Sequence, residues 1–237
     1  MMPARPFELL VFDWDGTLMD SIASIVACTR AALADSGVES PAEAAIRDTI
    51  GLGLRETIDR LCPGGSGEGV FERIVAAYRN HWFATYRERQ VLFDGVSELL
   101  AGLAAEGYLL AIATGKSRRG LDDALRANGV AALFHATRTG DEAPSKPHPR
   151  MLLDVLGELG VAPGAALMIG DSVHDLDMAR AAGVAALAVY SGSHERRELE
   201  SRSPLACLAG VLELPGWLAA RGGEPRPAAR PTSTATP

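Results

Sequence analysis

Asp13 and Asp15 are separated by one residue at the end of a short apolar segment, residues 8–13 (ELLVFD), and Gly16 follows them. Side chains at positions i and i+2 of a strand share a face, and a turn at Gly16 could bring both carboxylates toward one point. Two like charges about 4 Å apart repel by about 4 kcal/mol at an effective dielectric of about 20. A cation would relieve that repulsion, although aspartate and glycine are also common in ordinary turns after strands.

Two further aspartates, Asp171 and Asp175, occur in residues 170–177 (GDSVHDLD), which begin where another apolar segment ends. They are one helical turn apart. A set of hard oxygen ligands without histidine or cysteine is typical of Mg²⁺ sites. The two aspartate motifs together therefore predict a Mg²⁺ site.

Residues 113–117 (ATGKS) have features typical of a phosphate site. Thr114 offers a hydroxyl, and the backbone amides after Gly115 open a predicted helix with Ser117 as N-cap, where phosphate groups bind favourably. The start of this helix carries three cations, Lys116, Arg118 and Arg119. Positive charges at the N-terminus of a helix are unfavourable because of the helix dipole. A bound anionic ligand would compensate for them. The simpler alternative is a basic surface exposed to solvent.

The chain has two lysines, Lys116 and Lys146, among its 23 basic residues. Arginine serves almost everywhere as the positive charge, so Lys146 in residues 145–150 (SKPHPR) suggests a specific role. An ammonium group is a compact charge with three donors, whereas a guanidinium group is broader and its donors are fixed in a plane. The pattern favours a crowded anionic environment for Lys146, and chance composition is the alternative.

Composition narrows the classes of function. A chain of 237 residues can form one large domain or a core with a smaller lobe. The net charge of -7 argues against nucleic-acid and membrane-surface partners. Three cysteines without a CxxC pair indicate reduced thiols, and neither a signal peptide nor a membrane span is evident. We therefore expect a cytoplasmic protein. We also expect a monomer or a weak dimer.

The hydrophobic pattern changes along the chain. Residues 21–90 are almost entirely helical in pattern, with interruptions at 51–54 (GLGL) and 62–69, whereas helices and strands alternate from residue 94 onward. Such alternation predicts a parallel sheet with helices on both faces. Open parallel sheets bind ligands at the carboxyl ends of their strands, so the motifs should meet at one edge. Residues 222–237 are rich in Pro, Ala and Thr, and we expect them to be disordered.

The ordered motifs resemble those of the haloacid dehalogenase-like hydrolase superfamily, in its phosphoglycolate phosphatase-like branch. They are DWDGTLMDS (13–21), ATGK (113–116), SKPHP (145–149) and GDSVHDLDMARAAG (170–183). The resemblance covers roughly residues 7–200. It implies an α/β fold with a Rossmann-like parallel sheet core, residues 1–20 and 91–221, and an inserted α-helical cap domain, residues 21–90.

The resemblance also implies roles for individual residues. Its catalytic residues are Asp13 as nucleophile, Asp15 as general acid and base, and Lys146. It also implies Thr114 and Lys146 as phosphate ligands and Asp171 as a metal ligand. From the residues themselves we add Gly115, Lys116 and Arg55 as candidate substrate-binding residues, and Asp13 and Asp15 as further metal ligands. Asp175 is expected to hold the catalytic residues in position without contacting the substrate itself. Gly115 stands where many relatives have asparagine, which leaves its backbone amide available.

The implied reaction is the hydrolysis of a small phosphorylated metabolite, such as a phosphoglycolate-like, sugar or nucleotide phosphate. Asp13 would attack phosphorus to form an aspartyl-phosphate, and Asp15 would protonate the leaving alkoxide and later activate water. Mg²⁺ is the implied cofactor. A phosphosugar mutase on the same scaffold and a non-catalytic sensor of phosphorylated metabolites are the alternatives.

Two expectations concern the pocket wall. Arg55, in residues 51–56 (GLGLRE), is a candidate for contacting the substrate, and a surface charge is its alternative role. Lys116 is expected at the pocket rim. Three aromatic residues at helical spacing, Tyr78, Trp82 and Tyr86, favour packing within the helical segment over stacking on a base.

Overall fold

A computed structural model describes residues 5–63, 69–86 and 91–221 of the chain. Six parallel strands form one sheet in the order β3-β2-β1-β4-β5-β6. The strands are β1 (Leu9–Phe12), β2 (Leu109–Ala113), β3 (Ala136–Arg138), β4 (Ala166–Gly170), β5 (Ala185–Val189) and β6 (Cys207–Leu208). The predicted α/β fold with a Rossmann-like parallel sheet is confirmed.

The centre of the sheet explains where the functional motifs meet. β1 pairs with β2 on one side and with β4 on the other, with Phe12 opposite both Ile112 and Ile169. The chain thus leaves β1 toward one edge of the sheet and returns later to build the other. Ligands bind at such a switch point, outside the carboxyl ends of the strands.

Ten α-helices accompany these strands in the described part of the chain. They are α1 (Ile22–Asp35), α2 (Glu43–Arg47), α3 (Leu54–Leu61), α4 (Val70–His81), α5 (Val96–Ala105), α6 (Arg118–Ala127), α7 (Arg150–Leu159), α8 (Val173–Ala181), α9 (Arg196–Ser201) and α10 (Leu214–Ala220). A π-helical turn (Trp82–Tyr86) follows α4. Short 3₁₀ turns occur at Ala131–Leu133, Pro163–Ala165 and Val211–Glu213.

Both faces of the sheet are buried, which is why β1 is apolar without alternation. Leu10 and Phe12 belong to the hydrophobic cluster on one face. Leu9 and Val11 belong to the cluster on the other face. The two clusters hold the sheet between helical layers, so the residues that follow β1 start from a rigid position.

The helices between β1 and β2 have a hydrophobic cluster of their own, which includes Ile22, Leu33, Ile46, Ile58 and Ile74. The largest packing contact within this segment is between α1 and α4. A helical segment was predicted here, and the predicted interruption at 51–54 is a loop at residues 51–53, because α3 already begins at Leu54. That residues 21–90 form a separate cap domain stays a prediction, as do the core boundaries of 1–20 and 91–221.

The last elements of the fold carried no clear sequence signal. β6 has two residues and lies at the edge of the sheet, and α9 and α10 are short. Strands and helices this short have too few residues to show a period. Residues 222–237, which we expect to be disordered, lie outside the described residues.

Within the described ranges, no helix is long and apolar enough to cross a bilayer.

Candidate active site

A group of buried charged residues lies where the central strands end, and we call it the strand-end cluster: Asp13, Lys146, Asp171 and Asp175. Lys146 lies at its centre. Its side chain is buried, with Nζ 2.9 Å from Oδ1 of Asp13 and 2.6 Å from Oδ1 of Asp175. Burial alone would lower the pKa of Lys146, but the charges of Asp13 and Asp175 outweigh it and raise the pKa above its ordinary value. The ammonium group is therefore charged and joins two carboxylates that come from different strand ends.

Asp175 is held firmly behind Lys146. The backbone N–H of Ser172 donates to Oδ2 of Asp175 at 3.1 Å, and the Ser172 hydroxyl donates to the same oxygen at 2.6 Å. Ser172 is the N-cap of α8, and the two residues form a capping box. The helix start thus fixes Asp175, and Asp175 in turn contacts Lys146. The supporting role of Asp175 stays a prediction.

Asp171, directly after β4, receives three hydrogen bonds. The Thr17 hydroxyl donates to Oδ1 at 2.7 Å. The backbone N–H and the hydroxyl of Ser193 donate to Oδ2 at 2.8 and 3.1 Å. Gly16 has a φ of +82°, and a Cβ there would lie 2.6 Å from Oδ2 of Asp171. The turn after β1 therefore needs glycine to pass so close to this carboxylate.

Asp13, Asp171 and Asp175 form a candidate metal centre. Each offers a carboxylate oxygen, and these oxygens lie within 4.8 Å of one another. Apart from the ion pair with Lys146, both oxygens of Asp13 are buried without a hydrogen bond from any described residue. Such orphaned acceptors are rare in folded proteins. A hard cation would satisfy them, and the all-oxygen donor set suits Mg²⁺.

The electrostatics of this cluster also favour a cation. Burial raises the pKa of Asp13 well above its usual range, and the neighbouring Asp175 and Asp171 raise it further against the opposing charge of Lys146. Burial, followed by the charge of Asp175, raises the pKa of Asp171 to about 6. Three buried carboxylates share one lysine, so additional positive charge would stabilise their ionised forms.

Asp15 lies apart from the candidate metal centre. Its carboxylate accepts from Nζ of Lys116 at 2.9 and 3.1 Å and from the hydroxyl of Ser21 at 2.7 Å. Among the described residues, the acidic group that could hold a metal ion contains Asp175 in place of Asp15. The geometry thus gives no support to the Asp15 side chain as a metal ligand, because it faces a lysine instead.

Lys116 is more enclosed than expected. Its side chain is 10% exposed, and Nζ lies 4.7 Å from the centre of the Trp82 ring as well as against Asp15. The expectation that Lys116 lies at the pocket rim, where solvent would screen its charge, is therefore wrong. Lys116, in the loop between β2 and α6, thus contacts both Asp15, which follows β1, and Trp82, which begins the π turn.

A cavity of about 300 Å³ opens above Asp13 and Asp15. Three predicted phosphate-site residues line it, Thr114, Gly115 and Lys116. Thr114 is buried, and its hydroxyl accepts from the backbone N–H of Lys116 at 3.2 Å. The predicted N-cap Ser117 is confirmed, because its hydroxyl accepts from the backbone N–H of Gly120 at 3.2 Å.

Arg55 is not among the cavity-lining residues. It is exposed on α3, and its guanidinium lies 4.0 Å from the ring centre of Phe71. The expected contact between Arg55 and the substrate has no geometric support, and the alternative role as a surface charge fits this position.

The loop at residues 51–53 lies directly on the strand ends. The backbone N–H of Gly53 donates to the Ser145 hydroxyl at 2.7 Å. A Cβ at position 115 would lie 2.6 Å from the carbonyl oxygen of Gly51 and would overlap that of Leu52. The loop therefore closes one side of the cavity, and Gly115 permits the close approach.

Sequence reasoning missed the hydroxyl groups around the carboxylates. The hydroxyls of Thr17 and Ser193 donate to Asp171, and that of Ser172 donates to Asp175. Thr17 and Ser172 stand within the motifs, so their position was a usable signal. Ser193 follows β5, outside all four motifs, and only the fold brings it to the site.

The fold and the site define a class of protein. It is a parallel α/β protein with a buried aspartate after β1, a lysine paired with that aspartate, and two further buried aspartates after the neighbouring strand β4. A family model described as haloacid dehalogenase-like hydrolase matches residues 10–189. The chain belongs to this family and is a phosphatase of that family.

Individual relatives agree with this assignment. Probable phosphatase IndB of Dickeya dadantii is 35% identical over 215 residues, which cover 88% of this chain and 92% of the relative. Phosphoglycolate phosphatase of Nitrosococcus oceani is 29% identical over 216 residues, which cover 89% of this chain and 96% of the relative. The structure of a haloacid dehalogenase-like family hydrolase from Streptococcus pneumoniae has a TM-score of 0.76 at 27% identity, and covers 90% of this chain and 98% of that chain.

Proposed function

We propose that the protein is a Mg²⁺-dependent phosphatase that hydrolyses a small phosphate monoester through an aspartyl-phosphate on Asp13. The arrangement of Asp13 supports this most directly: it is a buried carboxylate with no hydrogen bond from the described residues, at the floor of a cavity and paired with Lys146. Such a carboxylate is available to phosphorus, and the adjacent cation offsets its repulsion from the phosphate.

In the first step, the phosphate group binds between Lys146 and Thr114. A carboxylate oxygen of Asp13 attacks phosphorus, and the bond from phosphorus to the ester oxygen breaks. Asp15 gives a proton to the departing alkoxide. Asp171 and Asp13, with Asp175 beside them, would hold Mg²⁺, which supplies positive charge to the phosphate oxygens when bound.

In the second step, Asp15 takes a proton from a water molecule. That water attacks phosphorus, the bond to Asp13 breaks, and inorganic phosphate leaves. The contacts with Lys116 and Ser21 keep the Asp15 carboxylate on the cavity side, away from Asp171. This separation supports different roles for the two aspartates of the first motif.

The name phosphoglycolate phosphatase recurs among the relatives, which favours hydrolysis over the mutase alternative. We propose a cytoplasmic enzyme acting on a small phosphorylated metabolite, without nucleic-acid or membrane partners, as a monomer or weak dimer. The net charge of -7 supports the lack of nucleic-acid partners.

Release of phosphate from p-nitrophenyl phosphate tests the proposal. Asp13→Asn should lower kcat by at least about 10³-fold, because an amide is a poor nucleophile. Asp59→Asn is the matched control, since Asp59 is exposed on α3, and its rate should equal that of the unchanged protein. BeF₃⁻, a mimic of the acyl phosphate, should protect the protein from unfolding unless Asp13 is replaced. Full activity of Asp13→Asn would refute the proposed nucleophile.

A further inference from the structure

The walls of the cavity above Asp13 and Asp15 are largely apolar. Its lining includes Ile25, Ile50, Leu52, Leu54, Trp82 and Phe83. The attacked phosphate must lie at the floor, beside Asp13, so the group that leaves with the ester oxygen extends into this chamber. The chamber, of about 300 Å³, is at the lower end of the range in which proteins enclose whole small-molecule ligands, about 300–1,000 Å³.

The aromatic wall is built by the π-helical turn Trp82–Tyr86. Consecutive residues Trp82 and Phe83 both line the chamber. Tyr78 stacks on Trp82 with ring centres 6.2 Å apart and planes 13° apart, which fixes the Trp82 ring. π-Helical turns are rare and often occur at functional sites, so this wall is a specific feature of the chamber.

The cations of the chamber do not suit a short acid. Among the described residues that line it, the cations are Lys116, Arg79 and Arg119. Lys116 is bound to both carboxylate oxygens of Asp15. Arg119 lies over the Phe83 ring at 4.8 Å, and both arginines are exposed to solvent.

A carboxylate one carbon away from the ester oxygen would have to lie at the floor, near Asp13 and Asp15. There it would meet the carboxylates of Asp13 and Asp15. Lys116 is already bound to Asp15, and Lys146 is already shared by Asp13 and Asp175. Like charges at such distances repel. An apolar extension of the same length would instead contact Leu52, Trp82 and the rest of the wall and leave water.

We propose that the substrates of this site are phosphate monoesters whose alcohol carries an extended apolar or ring-bearing group and no acid beside the ester oxygen. This inference rests on the proposed function. It separates this chain from those of its relatives that are named phosphoglycolate phosphatase. Trp82 and Phe83 are then specificity-determining residues that the catalytic motifs do not include.

A series of primary alkyl phosphates tests the inference, because their leaving alcohols differ in length but hardly in acidity. For ethyl, butyl and hexyl phosphate, kcat/KM should rise about fourfold per methylene that enters the chamber. 2-Phosphoglycolate should be a poorer substrate than ethyl phosphate, which has a methyl group in place of the carboxylate. A flat series, or a preference for 2-phosphoglycolate, would overturn the inference.

Two variants connect the effect to the wall. Phe83→Ala should lower kcat/KM for hexyl phosphate by about tenfold or more, with a much smaller effect on ethyl phosphate. Phe71→Ala is the matched control, because Phe71 lies under Arg55 and does not line the chamber. If Phe83→Ala does not fold, Leu54→Ala at the partly exposed start of α3 should show the same selective loss. An equal loss for both esters would count against the inference.

The two proposals fail in different ways. If neither p-nitrophenyl phosphate nor any alkyl phosphate is hydrolysed, the proposed function fails and the inference fails with it. If the esters are hydrolysed in an Asp13-dependent manner but without dependence on chain length, only the chamber inference is wrong.

Discussion

The rarity of lysine in this chain has a geometric counterpart at Lys146. One ammonium group reaches Oδ1 of Asp13 at 2.9 Å and Oδ1 of Asp175 at 2.6 Å inside a fully buried cluster. A guanidinium group is planar and larger, and its donors cannot turn independently. The space between the two carboxylates therefore fits a compact cation with donors that point in different directions.

Lys146→Arg should lower kcat/KM by at least about 100-fold although the charge is kept, as is typical for the loss of one well-placed stabilising group. Lys116→Arg should lose about tenfold or less, because a guanidinium can pair with both oxygens of Asp15 in a fork. Steady-state kinetics of both variants on one ester, with melting temperatures to confirm folding, decide the question. Equal activity of Lys146→Arg and the unchanged protein would make the lysine an accident of composition.

Among the elements, those with apolar runs of four or five residues were predictable. β1, β2, β4 and β5 follow directly from such runs, and parallel pairing then brings the residues after them to one edge. The partner of Asp15 was not predictable, because the contact with Lys116 depends on side-chain directions across two strand ends. The position of Trp82 in the cavity wall was not predictable either. Helical spacing indicates that a side chain packs on one face of a helix, but it does not indicate what that face contacts.

Among the contacts between elements, the one between the loop at residues 51–53 and the strand ends has the clearest test. Gly115→Ala would place a Cβ 2.6 Å from the carbonyl oxygen of Gly51. The Cβ would meet backbone atoms of the loop, which cannot move aside as a flexible side chain can. The loop should therefore shift away from the strand ends. Because the loop closes the chamber, kcat/KM should fall by about tenfold or more, as misplacement near a reacting group commonly causes.

Gly157→Ala is the matched control for that substitution. Gly157 lies within α7, and a Cβ there meets nothing within 4 Å. Alanine should stabilise the helix by about 0.5–1 kcal/mol and leave the rate unchanged. Full activity of Gly115→Ala, with the same melting temperature as the unchanged protein, would show that the loop does not need this close approach.

At the scale of the whole molecule, the strand-end cluster connects stability to metal binding. Asp13, Asp171 and Asp175 are all buried, and Lys146 compensates for one of their charges. The pKa of Asp13 and that of Asp171 are raised in the folded protein, that of Asp171 to about 6, by burial first and by the neighbouring carboxylates second. A folded state that binds more protons than the unfolded chain is stabilised at low pH by these groups. That contribution is lost as the pH rises through the folded pKa.

Mg²⁺ should replace the protons as the stabilising partner above that pKa. A ligand at about 100 times its Kd adds about 2.7 kcal/mol to the free energy of unfolding, which corresponds to a rise in Tm of about 5–10 °C for a chain of this size. The rise should be largest near pH 8 and much smaller near pH 5, where Asp171 is mostly protonated and metal binding must displace the proton. Thermal unfolding with Mg²⁺ and with EDTA at both pH values measures it. Asp171→Asn should abolish the rise and Asp59→Asn should preserve it. An equal rise at both pH values, or a rise that survives in Asp171→Asn, would place the ion elsewhere.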